Sequence, residues 1–136
     1  MSTIIRIIAA VILFFHGLIH LMGTIVYMKL GTLEQFSYKT TIFNGRVDLG
    51  ESGIYVFGVL WAIAAIGFVV TAAGLVAKWK WNSALLVGVS IFSLVLTVLD
   101  YEIAFTGVLV NIVILAIVLV ESRIGAWRGG HALKQV

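Results

Sequence analysis

Residues 4–27 read IIRIIAAVILFFHGLIHLMGTIVY, and Arg6 is the one formal charge among them. A helix needs roughly 17–25 predominantly apolar residues to cross the hydrocarbon core of a bilayer, and this run supplies them. A secretory signal has an apolar segment of about 7–15 residues followed by a small-residue cleavage site. This run is longer and no such site follows, so it reads as a retained spanning helix. Three more apolar stretches follow it, and the spans are expected at about 4–28, 53–77, 82–100 and 104–122. An outer loop over 30–52 and a cytoplasmic tail over 123–136 complete a single integral membrane domain, residues 1–136. A soluble four-helix bundle would need a broad polar face on each helix, and none is present. The expected fold is all-α: a four-helix transmembrane bundle.

Composition points the same way. Of 136 residues, 62% are hydrophobic and 11% charged, and the mean hydropathy is +1.15. Soluble domains run about 45–50% apolar and about 25% charged. A disordered chain, a nucleic-acid-binding domain and an ordinary soluble enzyme all need polar surface this chain lacks. The bilayer is therefore the expected partner, joined by further copies of the chain or a larger membrane complex, and nucleic acid is not. There is no cysteine, which removes disulfides, thiolate metal sites and cysteine nucleophiles. There is no proline either, so the helices have no proline kinks.

Basic residues set the orientation. Arg6, Lys78, Lys80, Arg123, Arg128 and Lys134 fall on one side of the expected spans, with Glu121 the one acid there. Lys29, Lys39 and Arg46 fall on the other, with Glu34, Asp48, Glu51, Asp100 and Glu102. The two sides carry +5 and −2, which make up the net +3. Both termini are expected to be cytoplasmic, in the plasma (inner) membrane. Trp79, Trp81 and Trp127 match an inner aromatic belt, and Tyr27, Tyr55 and Tyr101 an outer one. Trp61 lies more than a turn inside the second span. In the outer loop, Asn44-Gly45 between β-prone residues predicts a type I′ hairpin, because that turn needs positive φ at both centres.

Small residues recur where helices would meet: Ala64, Gly67, Thr71 and Gly74 on the second span, Ala84 and Gly88 on the third, and Ala104, Gly107 and Asn111 on the fourth. These read as packing faces.

Few residues remain for chemistry. His16 and His20, at i and i+4, lie on one face of the first helix, about 6 Å apart along it at about 1.5 Å per residue. Ionisable groups at that depth are costly and usually face the bundle interior. The pair reads as a metal site, a proton relay or a ligand-holding pair, or else as neutral imidazoles hydrogen-bonded to neighbouring helices. Ser90, Ser93, Thr97 and Asp100 form a hydroxyl stripe that rises to a carboxylate, although Ser and Thr also bond back to their own helix. Asp100 and Glu102, in a very short turn, read as a cation or proton site or as a solvated acidic turn. Asn111 is the one amide in the fourth span, at about the depth of His20. Glu51 heads the second span, where a carboxylate also suits the helix dipole.

His16, His20, Glu51, Trp61, Asp100, Glu102 and Asn111 come from all four helices, and they are expected to converge on an outward-opening polar pocket. A quinone-like amphiphile would hydrogen-bond to His16, His20, Asp100 and Asn111 and stack on Trp61. A divalent metal would take His16 and His20 together with Glu51 or Asp100. Haem is disfavoured, because bis-histidine ligation uses opposite porphyrin faces and these histidines share one helix face. His131 lies on the wrong side to help.

Arg6, followed by Leu13-Phe14-Phe15-His16-Gly17-Leu18-Ile19-His20-Leu21-Met22-Gly23, resembles the opening helix of DoxX-like small membrane proteins. The four-span layout is similar, and Glu51 with Gly50 and Gly53 resembles that group's acidic, glycine-rich second helix. His20 stands where the family often has Lys, and the family's proline before the second helix is absent. The resemblance implies a redox or quinone association, since family members include quinone-linked oxidoreductase subunits. Three functions follow as expectations: a ligand-binding or redox accessory protein, a proton or small-solute transporter, and a structural subunit of a larger complex.

Overall fold

The computed structural model describes residues 2–132, with side chains through Glu121 and at Arg123. Trp127, Arg128, His131 and Lys134, placed by the sequence on the inner side, lie outside the described residues and side chains. The element order is α1 (Thr3–Tyr27), β1 (Thr41–Ile42), β2 (Val47–Asp48), α2 (Gly50–Val76), α3 (Asn82–Leu99) and α4 (Tyr101–Ala132). Four helices, α1, α2, α3 and Tyr101–Glu121 of α4, are long and apolar enough to cross a membrane. The shortest, α3, has 18 residues, roughly 27 Å at about 1.5 Å per residue. Their outer faces are crowded with exposed Ile, Val, Leu and Phe, which implies contact with lipid tails rather than water.

Three boundaries differ from the expectation. The second helix starts at Gly50, not near 53, because the Asp48 carboxylate takes the Gly50 N–H at 2.9 Å and Gly50 turns the chain with φ 65°. The fourth starts at Tyr101 and carries a non-helical residue, Ala104 (φ −100°, ψ 19°), where the sequence places its start. It also runs on through residues 123–132, where a tail was expected.

Helix α1 buries Leu13, His16, Gly17, His20, Gly23, Thr24 and Tyr27. Steps of three and four put these on one inward face. That face packs on α2, α2 packs on α3, and α3 on α4, while α1 and α4 share no comparable seam. Helix α2 is the most buried of the four, with 39% of its most apolar 18 residues buried, and α4 the least, with 11%. The α1–α2 seam depends on missing side chains. A Cβ on Gly23 would lie 2.5–2.9 Å from three carbons of the Trp61 indole, and one on Gly17 would lie 3.0 Å from the Ala65 carbonyl. In the same seam the Thr24 hydroxyl donates to the Gly58 carbonyl at 3.2 Å.

The small-residue faces of α2 and α4 are packed: Gly67 abuts Val89, and Gly107 abuts Thr97. The Ala84–Gly88 pair of α3 is not. Both residues are exposed, and a Cβ on Gly88 would meet nothing within 4 Å. That expected contact is corrected: the inward face of α3 is its hydroxyl stripe. Gly23→Ala should therefore cost about 1–3 kcal/mol through overpacking. Gly88→Ala should be neutral or stabilise by up to about 1 kcal/mol. Thermal unfolding of both variants in detergent checks the contrast.

The core has two apolar clusters. Val26, Ile54, Phe57, Trp61 and Leu96 anchor the one near the hairpin. Ala10, Leu13, Phe68 and Ala72 form the other. Between them lies a layer that includes His16, His20, Ser90, Ser93 and Asn111, all buried.

The hairpin forms. Thr41 pairs with Asp48 and Ile42 with Val47. Asn44 (φ 55°) and Gly45 (φ 79°) take the positive angles a type I′ turn needs, and the Arg46 N–H donates to the Phe43 carbonyl at 3.2 Å. Its strands have two residues each, shorter than the β-prone stretch, because the loop also docks on the bundle. Phe36 and Ile42 are buried in the hairpin-end cluster, and the Phe43 N–H donates to the Leu99 carbonyl at 2.9 Å.

Candidate functional site

The His20 ring is held at both nitrogens. Its Nδ1 lies 2.9 Å from the His16 carbonyl, which only accepts, so Nδ1 carries the proton. Nε2 is then a bare acceptor, and the Ser93 hydroxyl, 2.6 Å away, donates to it. Having spent its proton, Ser93 accepts from Asn111 Nδ2 at 2.8 Å. A directed chain runs from Asn111 on α4 through Ser93 on α3 to His20 on α1 and on to the His16 carbonyl. It specifies a neutral His20 in one tautomer.

The other polar atoms of the layer are less well served. His16 packs edge-on to His20, ring centroids 4.8 Å apart, and to Phe68 at 4.6 Å. The Asn111 amide is its polar neighbour, yet His16 Nε2 and Asn111 Oδ1 have no hydrogen-bond partner. Trp61 sits 5.3 Å from the His20 ring and is 3% exposed, and its Nε1–H is also unpartnered. Buried polar groups are nearly always satisfied, so each of these calls for an explanation. Thr97 needs none, because its hydroxyl bonds back to the Ser93 and Leu94 carbonyls at 3.0 and 3.1 Å.

A cavity of about 270 Å³ borders these groups. It lies between α1 and α4, where the helices do not pack, with Ile19 and Met22 on one wall and Ala104, Gly107 and Val110 on the other. His16, His20, Trp61 and Thr97 also line it, and Gln35 and Phe36 of the loop border the cavity at the hairpin end. Typical small-molecule pockets span about 300–1,000 Å³. This one holds a single ring, not a whole lipid.

A second polar group sits at the hairpin end. The Asp100 side chain is fully buried, with the Tyr27 hydroxyl donating to one carboxylate oxygen and the Lys39 ammonium 2.8 Å from the other. Lys39 also reaches Glu102 at 3.2 Å. Burial pushes the Asp100 carboxyl above the usual carboxylate range, against the opposing pull of Lys39 and Tyr27. Burial also works against the Lys39 charge, but hydrogen bonds and charge from Asp100 and Glu102 outweigh it and raise the Lys39 pKa. The cluster ties the 28–49 loop to the α3–α4 corner.

The seven residues expected to converge therefore divide. His16, His20, Trp61 and Asn111 are brought together, with Ser93 between them. Asp100 and Glu102 form the separate cluster with Lys39. Tyr27, expected as an interfacial anchor, is 1% exposed and belongs to that cluster. Glu51 joins neither group: it is exposed and bonds Lys29 at 2.8 Å. The metal set of His16 and His20 with Glu51 or Asp100 is thus not assembled. Among the described residues no group of three His, Cys, Asp or Glu is placed to hold a metal. A metal on His20 would also have to displace Ser93.

The helical spacing places Ser93 on the hydroxyl stripe of the third span, but nothing local marks it as the link between His20 and Asn111. The matched depths of Ser93 and Asn111, on either side of the short turn at Asp100, were the available signal. For Lys39, a loop lysine, there was none. Comparison with protein-family models, curated proteins and solved structures finds no match to this chain.

Proposed function

We propose that this chain is a multi-pass protein of the plasma (inner) membrane, with both termini cytoplasmic, that holds the headgroup of a quinone-like amphiphile between α1 and α4 as a binding or redox-associated accessory. One observation carries the reading: two buried polar atoms without partners, Trp61 Nε1 and His16 Nε2, belong to residues lining one largely apolar cavity. An indole N–H only donates, so the ligand must present an acceptor such as a carbonyl oxygen. The His16 nitrogen takes either role and suits a carbonyl or a hydroxyl. The resemblance of the first helix to DoxX-like proteins supports the same association.

Transport across the membrane is less well supported, because Ala10, Leu13, Phe68 and Ala72 pack as an apolar cluster in the other half of the bundle. The test is organic extraction and mass spectrometry of protein purified in mild detergent, with elemental analysis alongside. About one carbonyl-bearing amphiphile per chain is expected. A bound metal, or no organic species together with no uptake of added quinone, overturns the reading.

A further inference from the structure

We infer that the ligand enters and leaves this cavity sideways, from the bilayer between α1 and α4, so that its class is an uncharged molecule dissolved in the lipid phase with a hydrocarbon tail. The inference rests on the reading of the site above and names the ligand class and its route.

Three features of the cavity support it. Consecutive helices pack along their length, whereas α1 and α4 close no seam against each other, and the cavity occupies that gap. Its rim also lies on the outer surface of the bundle. Ile19 on α1 is 58% exposed and Thr106 on α4 is exposed, and both line the cavity. Those positions lie within membrane-spanning helices, so the surface they open onto is lipid tails.

At the hairpin end Gln35 is exposed, but the residue beside it is buried and fixed. Phe36 is 6% exposed and packs edge-on to Tyr27 and Trp61 at 5.4 and 6.3 Å. Its N–H is tied to the Leu33 carbonyl at 3.1 Å, and the loop beyond it is pinned by Lys39 to Asp100 and Glu102.

Size and chemistry select the molecule. About 270 Å³ admits one ring, so a long tail must lie outside, and the α1–α4 gap leads it into lipid. Trp61 and His16 are among the residues that line it, and their Nε1 and Nε2 have no partner within the protein, which suits the oxygen atoms of an uncharged headgroup. Among the described residues no Lys, Arg, Asp or Glu lines the cavity, so a charged headgroup would be buried without a counter-ion.

The absence of cysteine makes the test direct, since the only thiols will be introduced ones. One variant carries Ile19→Cys and Val110→Cys, and a short bis-maleimide ties α1 to α4 across the cavity mouth. A second carries Asn44→Cys and Tyr101→Cys, exposed side chains in hydrogen-bond contact, and the same reagent ties the loop to the α3–α4 corner. Each variant in vesicles is its own control before the linker is added. The probe is a benzoquinone with a ten-carbon tail, and uptake is read by re-isolating the protein and extracting it.

The α1–α4 tie is expected to slow uptake at least about tenfold and the loop tie to leave it within about twofold, as for a gated access step. Blockage by the loop tie alone, equal effects of the two ties, or no effect of the α1–α4 tie overturns the lateral route. If the untied wild-type protein takes up no quinone, the reading of the site itself fails.

Discussion

Trp61→Phe is expected to weaken quinone binding about tenfold to a hundredfold while making the empty protein more stable. The two effects share one cause. Phenylalanine keeps a large ring against His20, Phe36 and Phe57, the neighbours of the indole. What it removes is Nε1–H, a buried donor with no partner. In the empty protein that group carries a desolvation penalty of about 1–3 kcal/mol, which the variant escapes, less some lost packing. In the complex the same group meets its acceptor, so its loss costs affinity, at about 1.4 kcal/mol per tenfold. The checks are quinone titration and thermal unfolding without ligand. A purely structural Trp61 gives the opposite pattern: lower stability and unchanged affinity.

Lys39→Met should produce the largest loss of stability, about 2–3 kcal/mol near neutral pH. Removing one partner of a buried ion pair costs about 3–5 kcal/mol, because the other charge stays behind. Here the Tyr27 hydroxyl still donates to Asp100 and Lys39 is half-buried, which places the loss at or below the low end. The pH dependence identifies the cause. Burial already holds the Asp100 carboxyl above its ordinary range, and losing Lys39 raises it further. A group whose pKa is raised on folding keeps its stability below the unfolded value, about 4 for Asp, and loses it as pH rises through the folded value. The deficit relative to the unsubstituted protein should therefore be small below about pH 4 and grow above it. Adding Asp100→Asn should recover most of it, since no charge is then stranded. Thermal unfolding across that pH range measures both effects, and a deficit that ignores pH would show that Lys39 matters only through packing.

Much of the architecture was readable in advance. Each apolar stretch is long enough to span and lacks a polar face, and those properties reside in the stretch itself. The hairpin was readable for a similar reason, because Asn44-Gly45 accepts positive φ locally. The inward face of α1 followed from helical spacing, which put His16 and His20 on one side together. Misreadings arose where a local property had two uses. Small residues at i and i+4 suit a helix contact, yet Ala84 and Gly88 face outward, because α3 turns its hydroxyls inward instead. Tyr27 at a helix end suits an interfacial belt, yet Asp100 offered its hydroxyl a buried acceptor. Glu51 has the chemistry of a ligand, but Lys29 is the partner within reach.

The sequence by itself determined that four helices face lipid and that a few polar side chains must be hidden from it, because hydropathy and helical period depend on near neighbours along the chain. Only the tertiary structure decided how those polar groups are shared out. Ser93 joins His20 to Asn111 across three helices, Lys39 comes from a loop to hold Asp100, and α1 and α4 stay apart around a cavity. The physical reason is that a hydrogen bond or a void between helices depends on rotation and closeness of approach. Those follow from how Gly17, Gly23 and Gly107 let backbones meet, and no single helix encodes them alone.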